Sequence, residues 1–533
     1  MLQKLSNLQM KHWAWVIPIL LLATVLIFTH LTTDAYWADE GATLRNIGAP
    51  PYPTRTMQDL VFHMGLSEWP PAYFISVLAW GNAVGWSEFA TRYLGLLISI
   101  LSIALMYRLG RMMYRPQTGL IAAFLLATSV YFIFYAHELR GYTLYILLTI
   151  TSIFLYWYII HRQSVSIKAL IAFVISCILL IYTHYMAICI FATIGQYHLL
   201  FGRRYNNWKK VFVSLAVVSI AYLPWLAIAI LNVLEVSRWE GGQTAQVLVA
   251  TLVNSTSNTL WFVAIAALLA SLFFCRTRAT LSLWFIALIS LAVILGANAV
   301  SPFIFNARHT IGALPFLILL IAVGLNYQPY ATHLVTILVL CIWMSSGIWL
   351  NRNLDYPQSL PGSTESIPIE TMHTARNVVD TCVQPEDTIV TFLTRGNGNW
   401  DEHVLVYYLA DEDDRYNLAL ANFLTHIDTS HPPVDNVTPF ETRFQNLTEN
   451  SQSTWVLVSP FARPQPQLAQ TGALLTEAYA SCGQIIDTLF FSAYLYQNTA
   501  DVSCNLPLIN PQSLPNCSTN LLEDFFETET LQN

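Results

Sequence analysis

Charge is what this chain has least of. Only 11% of its 533 residues are charged, against 55% hydrophobic residues and a mean hydropathy of +0.48. Soluble globular chains carry about 25% charged residues, so the composition excludes a wholly soluble protein and calls for lipid around much of the chain. The net charge of -7 supplies no basic surface for nucleic acid, which is excluded as a partner. No C-x-x-C pair or His/Cys spacing marks a structural zinc site, and no glycine-rich loop marks a bound nucleotide. Internal repeats and low-complexity tracts are missing as well.

What is there, in quantity, is long apolar runs. A helix needs about 20 such residues to cross the hydrocarbon core. Candidate spans are 13–31, 88–107, 118–136, 141–160, 167–183, 185–201, 211–231, 259–274, 280–299, 310–326 and 331–350. The first follows Lys4 and Lys11 as a signal peptide would, but it is long for one and no A-x-A-like site follows, so it reads as a retained helix. The run 70–86 opens with Pro70–Pro71 and contains Gly81 and Gly85, which suits a helix lying along the interface. Residues 1–350 thus form a membrane domain. Residues 351–533 are polar, and "DTIVTFLT", "STWVLVSP" and "TLFFSAYLYQ" read as strands of a small α/β domain ending in an acidic, disordered tail. Cys382, Cys482, Cys504 and Cys517 form an even set in that domain and allow disulfides in an oxidising compartment. Cys177, Cys189, Cys275 and Cys341 lie in apolar runs, where a thiol behaves as a small hydrophobe.

Lys and Arg set the orientation. With 70–86 left uncrossed, Lys4/Lys11, Arg108/Arg111/Arg115, Arg162/Lys168, Arg203/Arg204/Lys209/Lys210 and Arg276/Arg278 all share one side, the cytoplasm. The expected protein is an all-α polytopic membrane bundle of eleven spans, N-terminus inside, C-terminal domain outside, in the plasma or inner membrane. The remaining charges then collect at the outer boundary. Asp34, Asp39, Glu40, Arg45 and Glu68 fall in the first outer loop, His137, Glu138 and Arg140 in the next turn, and His184, Arg308 and His309 at later ones; Arg92 lies slightly below that edge.

Each feature also has a plain structural reading. Asp39–Glu40 could cap a helix or face solvent, Glu138 and Arg140 could pair locally, and Arg308 could snorkel to the headgroups. Convergence on one face is what favours a site. An ion-coupled transporter tends to keep ionisable groups near the bilayer midplane, whereas a boundary cluster suits a reaction between a lipid substrate and an aqueous or lipid acceptor.

Five segments carry a family likeness in a fixed order. "DAYWADEGATLRNI", "EWPPAYFISVLAWGNAVGWSEFATRYLGLL", "YAHELRGYTLYILL", "YTHYMAICIF" and "ARHTIGALPFLILLIAVGL" resemble the motifs of GT-C class glycosyltransferases. The group they resemble is glycosyltransferase family 39, the protein mannosyltransferase-like and aminoarabinose transferase-like enzymes, over about residues 13–350. The resemblance implies the GT-C fold, a bundle with interfacial helices in its first outer loop. It also implies a polyprenyl-phosphate-linked sugar as donor, a lipid, glycan or protein acceptor, and inversion at the sugar. Before the two prolines, aminoarabinose transferases have lysine and protein mannosyltransferases histidine. Trp69 stands there in this chain, so neither enzyme's substrate carries over.

The residues fit that chemistry. Attack by a hydroxyl on an anomeric carbon needs a base, and Asp39 is the candidate, with Glu40 beside it to position the acceptor or share the proton. A phosphate leaving group needs cations, preferably the planar fork of arginine: Arg140 and Arg308 first, then Arg92 and Arg45. Glu138, Glu68, His137 and Tyr142 are candidates to orient those cations or contact the sugar or acceptor. Some relatives hold a divalent metal, for which Glu68 with His137 or His184 would serve; no other cofactor is expected. The competing readings are a transporter or flippase of a lipid-linked glycan, and an oligosaccharide ligase with a lipid-pyrophosphate donor.

Overall fold

A computed structural model describes residues 12–66, 69–236, 244–255, 261–300, 307–327, 333–352, 369–383, 387–392, 402–409, 417–420, 425–426, 453–458, 480–487 and 492–497. Its contacts divide the chain into two units, one of Met1–Leu31 and Thr56–Ser363, the other of Thr32–Arg55 and Thr364–Asn533. In chain order the first helices are α1 (Val16–Phe28), α2 (Ala38–Ile47), α3 (Met57–Leu66), α4 (Ala72–Val84), α5 (Glu88–Met113), α6 (Pro116–Ala127), α7 (Val130–His137) and α8 (Tyr142–Ile160). They are followed by α9 (Ile167–Ile181), α10 (Ala187–Phe201), α11 (Trp208–Val236), α12 (Thr244–Ser255), α13 (Trp261–Phe274), α14 (Arg278–Val300), α15 (Leu314–Asn326) and α16 (His333–Arg352). All of these except α2 belong to the first unit.

Among the described residues, five helical stretches are long and apolar enough to cross a bilayer unaided: α5, α8, parts of α11 and α14, and Arg308–Asn326, where a 3₁₀ turn (Ala307–Ala313) runs into α15. The run 118–136, expected as one span, is instead the pair α6 and α7, bent by 54°. The break has a chemical cause. The Thr128 hydroxyl donates back to the Phe124 carbonyl at 2.8 Å, and the Ser129 hydroxyl starts a new helix by accepting from the Phe132 N–H at 3.4 Å. Helices α1, α4, α9 and α12 are apolar but shorter. Helix α12 lies where the sequence suggests only an outer loop, because its Thr, Gln and Asn residues dilute the apolar signal.

Several hydroxyls inside these helices are satisfied by their own backbone. Thr24 donates to Leu20, Ser99 to Gly95, Ser102 to Ile98, Thr151 to Leu147 and Thr193 to Cys189, each four residues back. In a medium without water this is the available way to carry a hydroxyl. Helix α15 is the hub of the unit: every residue from Leu314 to Leu325 is buried, as expected of a helix apolar on all sides, and it packs against α6, α13 and α14. Leu21, Ile220 and Leu334, by contrast, are well exposed on the outside of the unit. Apolar surface on this scale requires lipid around it, and the chain is an integral membrane protein.

Helices approach closely where glycine allows it. A Cβ on Gly95 of α5 would lie 2.7 Å from the Ala136 carbonyl oxygen of α7, and one on Gly110 would lie 2.8 Å from the Gly119 Cα of α6. Small residues at such crossings are how apolar helices gain van der Waals contact when lipid removes the hydrophobic drive to associate.

The second unit contains a six-stranded mixed sheet, β1 (Thr388–Phe392), β2 (Asn417–Leu420), β3 (Thr425–His426), β4 (Ser453–Val458), β5 (Ala480–Asp487) and β6 (Ser492–Gln497), in the order β3-β2-β1-β4-β6-β5. Strand β1 is parallel to β2 and β4, with Val390 opposite Val456, and β6 is antiparallel to β4 and β5. With it go α17 (Ile369–Cys382) and α18 (Glu402–Leu409). Inside, the Trp455 indole donates to the Asp387 carboxylate at 3.2 Å, and Cys382 is disulfide-bonded. Helix α2 packs on α18, and the Tyr36 N–H donates to the Tyr408 hydroxyl at 3.1 Å. Thr32–Arg55, read by sequence as part of the membrane domain, therefore belongs by contacts to the same unit as the C-terminal residues, whereas α3 and α4 stay with the first.

Gly95→Val should push α5 off α7, costing about 1–3 kcal/mol or more and lowering the thermal midpoint in detergent. Gly195→Ala, where a Cβ meets nothing within 4 Å, should leave the midpoint unchanged or raise it slightly.

Candidate active site

In the second unit, the acids sit at the start of α2. Trp37 enters in extended conformation, and the Glu40 carboxylate folds back to accept the Trp37 N–H at 3.2 Å. Glu40 is 1% exposed and occupies the third helical position, so it serves as a capping group for an otherwise orphaned donor. Asp39 is only half-buried; its carbonyl accepts from the Thr43 hydroxyl at 3.0 Å, and as a first-turn acid it has the helix dipole in its favour. Of the two neighbouring carboxylates, Asp39 is the one whose side chain the cap does not use. Arg45 lies in the last turn of α2, before Gly48 ends the helix at a φ of 69°.

In the first unit, "HELRGY" forms the turn between α7 and α8. Glu138 leaves α7 extended, the Arg140 N–H returns to the Glu138 carbonyl at 2.8 Å, and Gly141 starts α8. A Cβ at Gly141 would lie close to Tyr73 of α4, at 3.3 Å. Arg140 and Arg308 are 6% and 5% exposed, so each guanidinium is held in place. Arg140 lies over the half-buried Trp69 ring, 4.6 Å from its centroid, and Arg308 lies 5.9 Å from the centroid of Tyr142. Desolvated cation–π contacts of this kind contribute about 2 kcal/mol and fix where the cation points.

His184 joins the two arginines. It sits in the turn between α9 and α10, stacked on Tyr145 at 5.2 Å with ring planes 4° apart, 5.7 Å from Tyr142 and 6.2 Å from His309. Its Nδ1 accepts the Met186 N–H at 3.1 Å, which leaves the proton of the neutral ring on Nε2. Burial, then the charges of His309, Arg140 and Arg308, hold it well below the usual histidine range. Glu138 and Arg308 both act on the hydroxyls of Tyr131 and Tyr135, and Tyr135 packs on Tyr142 at 4.7 Å. The Tyr131 hydroxyl also bonds to Thr310, whose own hydroxyl meets that of Thr251 on α12 at 2.8 Å. Arg140, Arg308, Glu138, Tyr142 and His184 thus form one cationic, aromatic-walled cluster.

Arg92 and His137 are engaged elsewhere. Arg92 donates to the Leu31 carbonyl at 3.0 Å and is 4% exposed, while the His137 Nε2 pairs with the Ile27 carbonyl at 2.9 Å. Both fasten the end of α1, where the carbonyls of a finishing helix need donors. Glu68 lies outside the described residues. For a metal, no group of three His, Cys, Asp or Glu comes together among the described residues. The surroundings of His184 do not fit a cation: its Nδ1 is engaged and two guanidiniums are among its neighbours. No step through a metal is derived. Trp69, Tyr145, His309 and Thr310 complete the cluster without having been singled out as site residues by sequence. Trp69 had been noted only for its place before the two prolines, and the others lie near the ends of apolar runs.

Neither a protein-family model nor a curated protein matches the sequence. Solved structures do match the fold. ArnT from Cupriavidus metallidurans in the apo state aligns with a TM-score of 0.58 at 12% identity, covering 91% of this chain and 98% of that one. The same protein bound to undecaprenyl phosphate aligns with a TM-score of 0.57 at 12% identity, over 92% and 98%. Arabinofuranosyltransferase AftD from Mycobacteria gives a TM-score of 0.55 at 14% identity, over 92% of this chain and 40% of that one. The chain has the GT-C fold of these membrane glycosyltransferases, the fold that its five motifs resemble.

Proposed function

We propose that this protein is a glycosyltransferase that moves a sugar from a polyprenyl-phosphate donor to an acceptor hydroxyl at the outer face of the membrane, with inversion. The observation that carries the reading is the pairing of two buried arginines, Arg140 and Arg308, around a neutral His184 in an aromatic-walled cluster. The planar fork of each guanidinium matches two oxygens of a phosphate, the leaving group of the proposed reaction. The likeness to an ArnT structure bound to undecaprenyl phosphate supports the donor class.

In the proposed reaction the acceptor oxygen attacks the anomeric carbon, its proton passes to the Asp39 carboxylate, and the bond from that carbon to the phosphate oxygen breaks. The polyprenyl phosphate leaves with the second negative charge, which Arg140 and Arg308 neutralise. Attack opposite the leaving group inverts the centre, by analogy with inverting hydrolases. Arg45 is a reserve cation, and Glu138, Tyr142 and Glu68 are proposed to orient the sugar or the arginines. The topology proposed with this chemistry has eleven spans, an inner N-terminus and an outer C-terminal domain. The disulfide at Cys382 supports that placement, since disulfides persist in oxidising compartments.

Transfer assayed from synthetic polyprenyl-phosphate sugars tests the reading. No product from the wild-type protein across donors would return it to the transport class. Asp39→Asn should lower kcat by about 10²–10⁴-fold with the thermal midpoint unchanged. Glu40→Ala should instead lower the midpoint by exposing an unpaired Trp37 donor, a cost of about 1–3 kcal/mol; full activity in Asp39→Asn would rule out Asp39 as base.

Arg140→Ala and Arg308→Ala should each lower kcat by about 10²–10³-fold. Arg140→Lys should recover only part of that loss, because an ammonium lacks the planar fork and stacks less well on Trp69.

A further inference from the structure

The opposite side of the first unit has a surplus of positive charge that the proposed chemistry does not use. Between Glu138 and Glu235 the chain contains no acid at all, yet Arg162, Lys168, Arg203, Arg204, Lys209 and Lys210 fall in its turns or at the helix starts beside them. All six are exposed. The segment "RRYNNWKK" (203–210) joins α10 to α11 and carries four of them in eight residues.

This segment is built, not slack. Buried Asn207 donates twice, to the Ile159 carbonyl at 3.0 Å and the Arg162 carbonyl at 2.7 Å, so its amide ties the turn to the end of α8. The His198 Nε2 pairs with the Trp208 carbonyl at 3.1 Å, and the Trp208 ring stacks between His198 at 5.8 Å and Phe212 at 5.3 Å. Arginines lie over rings on this scaffold, Arg203 at 5.9 Å from Trp208, Arg204 at 5.4 Å from Tyr205 and Arg162 at 4.8 Å from Tyr158. The cations are therefore partly ordered before any ligand arrives, which lowers the entropy lost on binding.

Two features point to an anion. Lys209 and Lys210 occupy the first turn of α11, where the helix dipole disfavours cations unless a negative charge is supplied. His161, at the end of α8, is held below its usual range first by desolvation and then, against its hydrogen bond with the Trp157 carbonyl, by the nearby charges of Arg204 and Arg278. A third feature says which anion. Leu199, Leu200 and Phe201 on one helix and Phe212 and Val213 on the other are exposed directly beside the cations. A soluble phosphate has no use for that apolar surface; a phospholipid presents a charged headgroup and an acyl chain in the same arrangement.

We propose that the 203–210 turn is a binding site for an anionic phospholipid, with Arg203, Arg204, Lys209 and Lys210 on its headgroup and Leu200 and Val213 along its acyl chain. The site belongs to the membrane face that carries the basic turns and is independent of the transfer reaction.

Native mass spectrometry of the full-length protein with phosphatidylglycerol and phosphatidylcholine of equal chain length tests this, with thermal unfolding in each lipid as a second readout. A surface cation contributes about fivefold in binding to anionic lipid, so phosphatidylglycerol should be retained over phosphatidylcholine by about tenfold or more. The fourfold variant R203Q/R204Q/K209Q/K210Q should lose most of that preference while eluting as the wild type does. R203K/R204K should keep it, and R108Q/R111Q, which removes exposed charge from α5, should keep it too. Equal retention of the two lipids by the wild type, an undiminished preference in the fourfold variant, or an equal loss in R108Q/R111Q would overturn the proposal. Glycerol 3-phosphate should not displace the lipid; displacement at matched concentration would mean a soluble phosphate site and would also overturn it.

Discussion

Desolvation governs this protein. A hydroxyl, amide or charge placed among apolar helices has no water to fall back on, so each must find a partner or move to the boundary. The hydroxyls of Thr24, Ser99, Ser102 and Thr151 take their own helix's carbonyls. The Asn207 amide takes two. Charges are expelled to the ends of the spans, and there they meet one another. The same rule that builds the bundle thus concentrates arginine, histidine and glutamate at the ends of its helices.

Aromatic rings help to order those groups. Trp69 under Arg140, Tyr142 beside Arg308 and Tyr145 against His184 place three cation-capable groups with few degrees of freedom left. A ring orients a guanidinium without taking its hydrogen-bond donors. His184 contributes differently: kept neutral among cations, with Nδ1 already accepting a backbone N–H, it offers an N–H donor and adds no charge. The basic turn at 203–210 repeats the device, with Arg203 and Arg204 over Trp208 and Tyr205.

Much of this was legible in the sequence, and the failures are as informative. Apolar runs show the spans, because burial in lipid demands uninterrupted apolar residues. They did not show the 54° break at Thr128–Ser129, since two small hydroxyl residues barely lower hydropathy while redirecting two hydrogen bonds. Arg140, Arg308, Glu138, Tyr142 and His184 were legible as charges or polar groups sharing one boundary. Arg92 and His137 looked the same at that level, yet they serve the carbonyls at the end of α1. Position along the chain gives the depth of a charge but not the direction in which its side chain points.

The adjacent acids Asp39 and Glu40 mark the division most clearly. Composition and the apolar runs were enough to establish a membrane protein, because solvation energy depends on residue type and local run length. Only the folded chain decides that Glu40 turns back to the Trp37 N–H, or that α2 packs on α18 near the far end of the chain. Only it decides that Trp69 lies under Arg140. Those outcomes depend on which backbone donors are left orphaned and which rings meet across distant segments, and such contacts exist only once the helices have packed.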